Sequence, residues 1–279
     1  MANQELNGVT PEDGTAPERG SGTKLFLAVL GGFALLYGSA MAWHVTHPMT
    51  GTGTESPGFL ERCRLICADY GLVATGDVSA DANAYLEAVD SQKLSASLQD
   101  LLSTDNFERA VTEDHPLIGK PAPDFVLSDT QDQSQSLAEL NRQGPVVLVF
   151  YYGYNCSHCV AQLFALQKDL EHFNELGAQL VAVSADLPAA TRKKYEEYGG
   201  FEFPVLSDPD LKVAETWGTY VRETDDQQED MLHGTFVIDR GGKVVFANRG
   251  YQPFVDNRSL LQWLNESGSA TGSDLAPAE

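Results

Sequence analysis

Positive charge is scarce in this chain. Of 279 residues, 18 are Lys or Arg and 40 are Asp or Glu, for a formal net charge of −22. Such a surface repels nucleic acid and anionic headgroups, which argues against both as partners, and it favours solubility. There is no internal repeat, no phosphate-binding glycine loop, no Ser/His/Asp set and no zinc-finger spacing, so the chemistries those patterns serve have no footing here. Cysteine is limited to four residues, and two of them stand two residues apart in "FYYGYNCSHCVAQL", Phe150 to Leu163. What the chain does have is 42% hydrophobic content, enough for one sizeable core plus appendages.

Charge is also missing from the run "LFLAVLGGFALLYGSAMAW", Leu25 to Trp43. At about 1.5 Å per helical residue it comes close to spanning a bilayer core. Residues 1–23 read as a polar, disordered cytoplasmic leader and 24–43 as a single transmembrane signal anchor. A cleavable signal peptide ending at "AMA", Ala40 to Ala42, is the alternative. Arg19 and Lys24 lie on the N-terminal side, so the positive-inside tendency sends the rest of the chain out of the cytoplasm. The expected location is the cell membrane, single-pass, with the remaining chain on the extracytoplasmic, periplasmic side, where disulfide chemistry is possible.

Beyond this, 44–57 is a Gly/Thr/Pro spacer, and 58–113 is expected to be a small helical extension without identifiable chemistry. In it Leu60, Cys63, Ile66 and Cys67 recur at helical spacing, and Asp81 is placed to cap a helix at "DANAYLEAVD". From 117 to 266 the pattern reads β-β-α-β-α-(β)-α-β-β-α. The apolar "GPVVLVFYYG" suits a buried central strand, and a single helix is expected over Cys156 to Leu176. "GTFVID" and "KVVFANR" flank a glycine turn as a hairpin. Residues 267–279 read as a disordered acidic tail. Strand–helix–strand units closed by a hairpin and a helix imply an α/β, thioredoxin-like fold, a mixed central sheet flanked by helices.

Cys156, placed at the start of that helix, would meet unpartnered amides and the positive end of the macrodipole, both of which favour a thiolate nucleophile. Cys159, nearly one turn on, is placed to attack a mixed disulfide from inside. His158 could donate to the Cys156 thiolate, stabilise the reduced form and make the oxidised form a stronger oxidant. An inert structural disulfide and a solvated loop histidine are the plainer alternatives. Tyr152, Tyr154 and Trp217 are candidates to line a substrate groove, although aromatic core residues are commoner. Cys63 and Cys67 share a helix face. They are either buried free thiols or a relay exchanging with Cys156. A metal reading needs Cys156, His158 and Cys159 with Cys63 and Cys67 completing the shell; no metal and no cofactor are assigned.

The span from about Leu117 to Leu264 resembles the redoxin group, comprising the alkyl hydroperoxide reductase/thiol-specific antioxidant (AhpC/TSA) domains, or peroxiredoxins, and the membrane-anchored thioredoxin-like reductases. "IGKPAPDFVLSD", "VVLVFYYGYNCSHC", "FPVLSDPDLKVAETWG" and "GTFVIDRGGKVVF" carry the likeness, in the family's order. The resemblance implies thiol–disulfide oxidoreductase activity on protein or small-molecule disulfides and thiols. Its alternatives are a thiol peroxidase acting on hydroperoxides and a copper-binding module, although copper-delivery relatives use a Cys-x-x-x-Cys spacing. Where peroxiredoxins carry Pro, Thr and Cys around the peroxide-reacting thiol, this chain has Tyr152, Cys156 and Cys159. His233 stands where an arginine is expected in peroxiredoxins and near the cis-proline of thioredoxin-like reductases, which makes it a further groove candidate.

Overall fold

The structure, a computed structural model, describes residues 21–46, 58–103, 106–154, 156, 158–252 and 254–273. Two compact units are present, 1–56 and 57–279. In the first, helix α1 covers Ser21–Thr46. Its described side chains are those of 26–37 and 39, all exposed. Among the described residues no helix is long and apolar enough to cross a membrane. The expected leader, apart from its last residues in α1, and most of the spacer lie outside the described residues.

The second unit opens with three helices, α2 (Phe59–Asp69), α3 (Val78–Ala88) and α4 (Leu98–Ser103). Asp77, not Asp81, caps α3, accepting the Ala80 amide at 3.0 Å. Asp81 instead accepts the Thr75 amide and hydroxyl, pinning the preceding turn. The extension is no separate appendage. Val78, Ala82, Tyr85, Leu86 and Leu101 are buried in the same core as Leu163 and Leu166.

The sheet holds seven strands in the order β2-β1-β5-β4-β3-β8-β9. They are β1 (Val126–Asp129), β2 (Ser134–Ser136), β3 (Val146–Phe150), β4 (Gln179–Ser184), β5 (Val205–Ser207), β8 (His233–Ile238) and β9 (Val244–Gly250). Two short strands, β6 (Tyr220–Val221) and β7 (Asp230–Met231), pair apart from it. β3 runs parallel to β4 and antiparallel to β8, and β8 and β9 form the hairpin expected around 240–242. This confirms an α/β thioredoxin-like fold with a mixed sheet.

The five residues of β3 are all buried because layers cover both sheet faces. Val146, Leu148 and Phe150 meet Trp217 and Phe236 on one side, while Val147 and Val149 meet the helices on the other. Helix α5 (Leu137–Gln143), with β2, is an addition to the expected order, and Ser136 caps it by accepting the Glu139 amide. The remaining helices are α6 (Ala161–Lys168), α7 (Leu170–Glu175), α8 (Pro188–Tyr198), α9 (Lys212–Thr216) and α10 (Asn257–Ser273).

Two further expectations are corrected. The single helix expected over Cys156 to Leu176 is a 3-10 turn at His158–Val160 followed by α6 and α7. Asp169 makes the break: its buried carboxylate accepts the Leu94 amide at 2.9 Å and Asn257 Nδ2 at 2.8 Å, tying the extension to α10. The C-terminal tail expected from 267 is helical through Ser273, as the end of α10.

Candidate active site

β3 delivers the site. Its pairing with β4 continues one residue past the strand, the Tyr151 amide donating to the Val183 carbonyl at 3.0 Å. The chain then turns at Gly153, whose φ of 140° suits glycine. A Cβ there would lie 2.7 Å from Asp186 Oδ2. Asp186, just past β4, uses that approach to accept the Tyr154 amide at 2.9 Å. Burial pushes its carboxyl up, opposed by that hydrogen bond. Asp186 thereby positions the loop that leads to Cys156.

After this turn Cys156 and Cys159 form a disulfide, with Cα atoms 5.2 Å apart. The Cys159 amide donates to the Cys156 carbonyl at 3.0 Å, so the first turn winds from Cys156. Because α6 itself starts only at Ala161, Cys156 lies ahead of the α-helix and not in its first turn. The field of the α6 macrodipole, which fades within a turn, acts correspondingly less on its thiolate. Cys156 is 5% exposed and Cys159 fully buried, which makes Cys156 the outer sulfur.

His158 Nδ1 lies 3.2 Å from Cys156 Sγ. Its ring, however, is buried against Tyr85 and against His233, at centroid distances of 5.6 Å and 5.5 Å. Burial lowers the His158 pKa to about 4. Burial, then the neighbouring His158, lowers that of His233 to about 3. At neutral pH both rings are uncharged, so His158 can offer Cys156 a neutral hydrogen bond and not a full positive charge.

The groove residues fare differently. Tyr152 is half-buried and packs against Cys63, Cys156 and Cys159, beside the site. Tyr154 does not line a groove: it is buried among Tyr151, Tyr195 and Phe201. Trp217 lies in the core, against Phe150 and Phe236. His233 backs His158 and is buried. All three are large or planar groups that fill volume behind the loop, which periodicity alone does not distinguish from a lining role.

The contribution that sequence reasoning placed least well is that of α2. Cys63 Sγ sits 3.5 Å from Cys159 Sγ and is 3% exposed. Burial, with nearby Cys67, pushes the Cys63 thiol up to about 12. Cys67, also unbonded, is only half-buried and falls outside the cluster. Arg62 locks α2 down. It forms an ion pair with Asp230 at 3.0 Å, donates to Tyr251 Oη at 2.5 Å and lies over that ring. Tyr251 in turn donates to Asp230 at 2.6 Å.

A model of the AhpC/TSA family matches residues 118–247. A putative peroxiredoxin of Mycobacterium tuberculosis is 32% identical over 131 residues, covering 46% of this chain and 82% of the relative. An alkyl hydroperoxide reductase E of the same organism is 33% identical over 132 residues, covering 47% and 83%. The thiol-disulfide oxidoreductase ResA of Bacillus thuringiensis is 29% identical over 128 residues, covering 46% and 67%. Among solved structures, the peroxidoxin BcpB from Mycobacterium tuberculosis is similar at a TM-score of 0.45 and 26% identity, covering 58% of this chain and all of that one.

Proposed function

The chain belongs to the AhpC/TSA family, and within it we propose a thiol–disulfide oxidoreductase that works through Cys156 and Cys159. The observation that carries this reading is the bonded pair itself, with an outer sulfur, a wholly buried inner one and an imidazole nitrogen 3.2 Å from the outer sulfur. In the reduced enzyme the Cys156 thiolate attacks one sulfur of a substrate disulfide. A Cys156–substrate bond forms, and the other substrate sulfur leaves as a thiolate and takes up a proton. Cys159 then gives up its proton and attacks Cys156 Sγ. The Cys156–Cys159 bond forms, and the second substrate thiol departs reduced. His158, with the ring proton on Nδ1, would hold Cys156 as thiolate in both steps. A relay through the extension would run through Cys63 and onto Cys159, since Cys63 is the thiol at 3.5 Å from it.

A thiol peroxidase is the second reading, favoured by the relatives described as peroxiredoxins and alkyl hydroperoxide reductases. Against it, Cys159, which stands where the peroxide-reacting thiol is expected, is fully buried and bonded. The two readings separate in one pair of assays. Insulin reduction should be lost to background in Cys156→Ser, while Cys159→Ser should accumulate a mixed disulfide on position 156. Peroxide consumption with dithiothreitol that persists in Cys156→Ser but vanishes in Cys159→Ser would reject the exchange reading in favour of the peroxidase.

The proposal includes a membrane-anchored, extracytoplasmic enzyme. It is supported by the apolar run Leu25 to Trp43, which lies within a continuous helix, Ser21–Thr46, and by Arg19 and Lys24 on its N-terminal side. A disulfide at the working site suits an oxidising compartment.

A further inference from the structure

Cys63 is difficult to explain as an idle thiol. It comes from an element outside the thioredoxin-like core, it is pinned in place by the Arg62–Asp230–Tyr251 clamp, and its sulfur meets the inner sulfur of the disulfide. The donor atoms of Cys63, Cys156, His158 and Cys159 all lie within 4.8 Å of one another, and all four residues are buried. His158 presents Nδ1 to the sulfurs, 3.2 Å from Cys156 Sγ.

We propose that the reduced site binds one Zn2+ through the Sγ atoms of Cys63, Cys156 and Cys159 and Nδ1 of His158. Three thiolates and one imidazole form a donor set that suits a closed tetrahedral zinc site. With zinc–sulfur bonds of about 2.3 Å, tetrahedral geometry puts neighbouring donors about 3.5–3.8 Å apart. The Cys63–Cys159 separation of 3.5 Å and the Cys156–His158 separation of 3.2 Å already lie near that range. The bonded pair does not, and reduction is what allows those sulfurs to part.

The site is therefore gated by redox state. A dithiol reductant supplies two electrons and two protons to the Cys156–Cys159 bond, giving two thiols and leaving the reductant as a disulfide. Zn2+ then displaces one proton from each of three thiols, so binding releases up to three protons, in proportion to how far the thiols were protonated beforehand. In the oxidised state Cys156 and Cys159 have no thiolate to give, and Cys63 with His158 cannot close a shell. Bound zinc would hold all three sulfurs as thiolates and shield the reduced site from reoxidation.

The proposal requires a reducible disulfide but not the exchange reaction, so the two can fail separately. The test uses the full chain in detergent, reduced anaerobically and freed of reductant, with Zn2+ titrated against a chromophoric chelator and Co2+ as a spectroscopic probe. Reduced wild type and Cys67→Ser should take up one Zn2+ per chain. Oxidised wild type should take up none. Cys63→Ser should bind at least about tenfold more weakly. The absence of stoichiometric uptake by reduced wild type, or an unchanged affinity in Cys63→Ser, would overturn the site. Should Cys63→Ser not fold, the wild-type cobalt spectrum decides. Charge-transfer intensity for three thiolates supports the proposal, and intensity for two or fewer rejects it. A protein that binds Zn2+ in this way yet fails to reduce insulin would keep the zinc site and lose the oxidoreductase.

Discussion

At the residue scale, the two buried histidines make a prediction whose sign follows from their neutral state. An imidazole in the unfolded chain titrates near 6.5, whereas burial holds His158 down to about 4 and His233 to about 3. As pH falls below about 6.5, the unfolded chain takes up protons that the folded chain refuses. The stability these rings contribute at neutral pH is lost progressively from there down to their folded values. Each ring that stays neutral steepens the loss by up to about 1.4 kcal/mol per pH unit. Urea midpoints measured at several pH values between neutral and about 4.5 should fall, and His158→Gln should flatten the fall relative to wild type. Equal slopes in the two proteins would mean that His158 is charged, or solvated, in the folded state. Gly153 gives a second residue-scale outcome. Gly153→Ala drives a methyl into the Asp186 carboxylate that accepts the Tyr154 amide, at a φ that L residues rarely adopt. It should lower the thermal midpoint and slow insulin reduction together, because the loop it distorts carries Cys156.

At the element scale, what was legible in the sequence and what was not divide along the boundary between local pattern and tertiary contact. β3 was readable because a short, valine-rich apolar run flanked by Gly144-Pro145 and Gly153 suits a strand covered on both faces, and the β8–β9 hairpin because glycines punctuate two apolar runs. The Cys-x-x-Cys pair announced itself by spacing. α5 carried a signal that went unread: Ser136 followed three residues later by Glu139, a pattern that marks a helix start. The break at Asp169 had no local signal, since its cause is an amide from Leu94 and a side chain from Asn257, both far off in sequence. The same is true of α2. Its apolar spacing declared a helix, but nothing local said that the helix would bring Cys63 against Cys159. That placement rests on Arg62, and it should loosen when the clamp is cut. Arg62→Ala should leave far-UV circular dichroism unchanged while raising the alkylation rate of Cys63 and Cys156 in the reduced protein several-fold. Unchanged rates would show that apolar packing alone, around Ile66 and Tyr70, holds α2 down.

At the scale of the whole molecule, charge and apolar length pull the chain two ways. A net charge of −22 gives no electrostatic purchase on anionic lipid, so any membrane association has to come from hydrocarbon burial in the N-terminal unit. The 19 residues from Leu25 to Trp43 extend about 28 Å as a helix, against a hydrocarbon core of about 30 Å. If that helix is the anchor, the full chain should stay with membranes through an alkaline carbonate wash, since stripping surface charge contacts cannot release a spanning segment. A chain beginning at residue 58 retains the compact 57–279 unit almost whole, and should move to the soluble fraction with its insulin reduction intact. An aspartate at Phe33, mid-run, should shift the full chain toward the soluble fraction, because a carboxylate at the centre of a span costs about 2.5–3.5 kcal/mol to insert. Side also follows from chemistry. If the site faces an oxidising compartment, Cys156 and Cys159 trapped by acid quench from intact cells should be bonded until a partner reduces them, whereas a pair facing the cytoplasm should be trapped as thiols. Recovery of the full chain in the carbonate supernatant would remove the anchor, and a fully reduced pair at quench would remove the extracytoplasmic assignment, each without touching the exchange chemistry at Cys156.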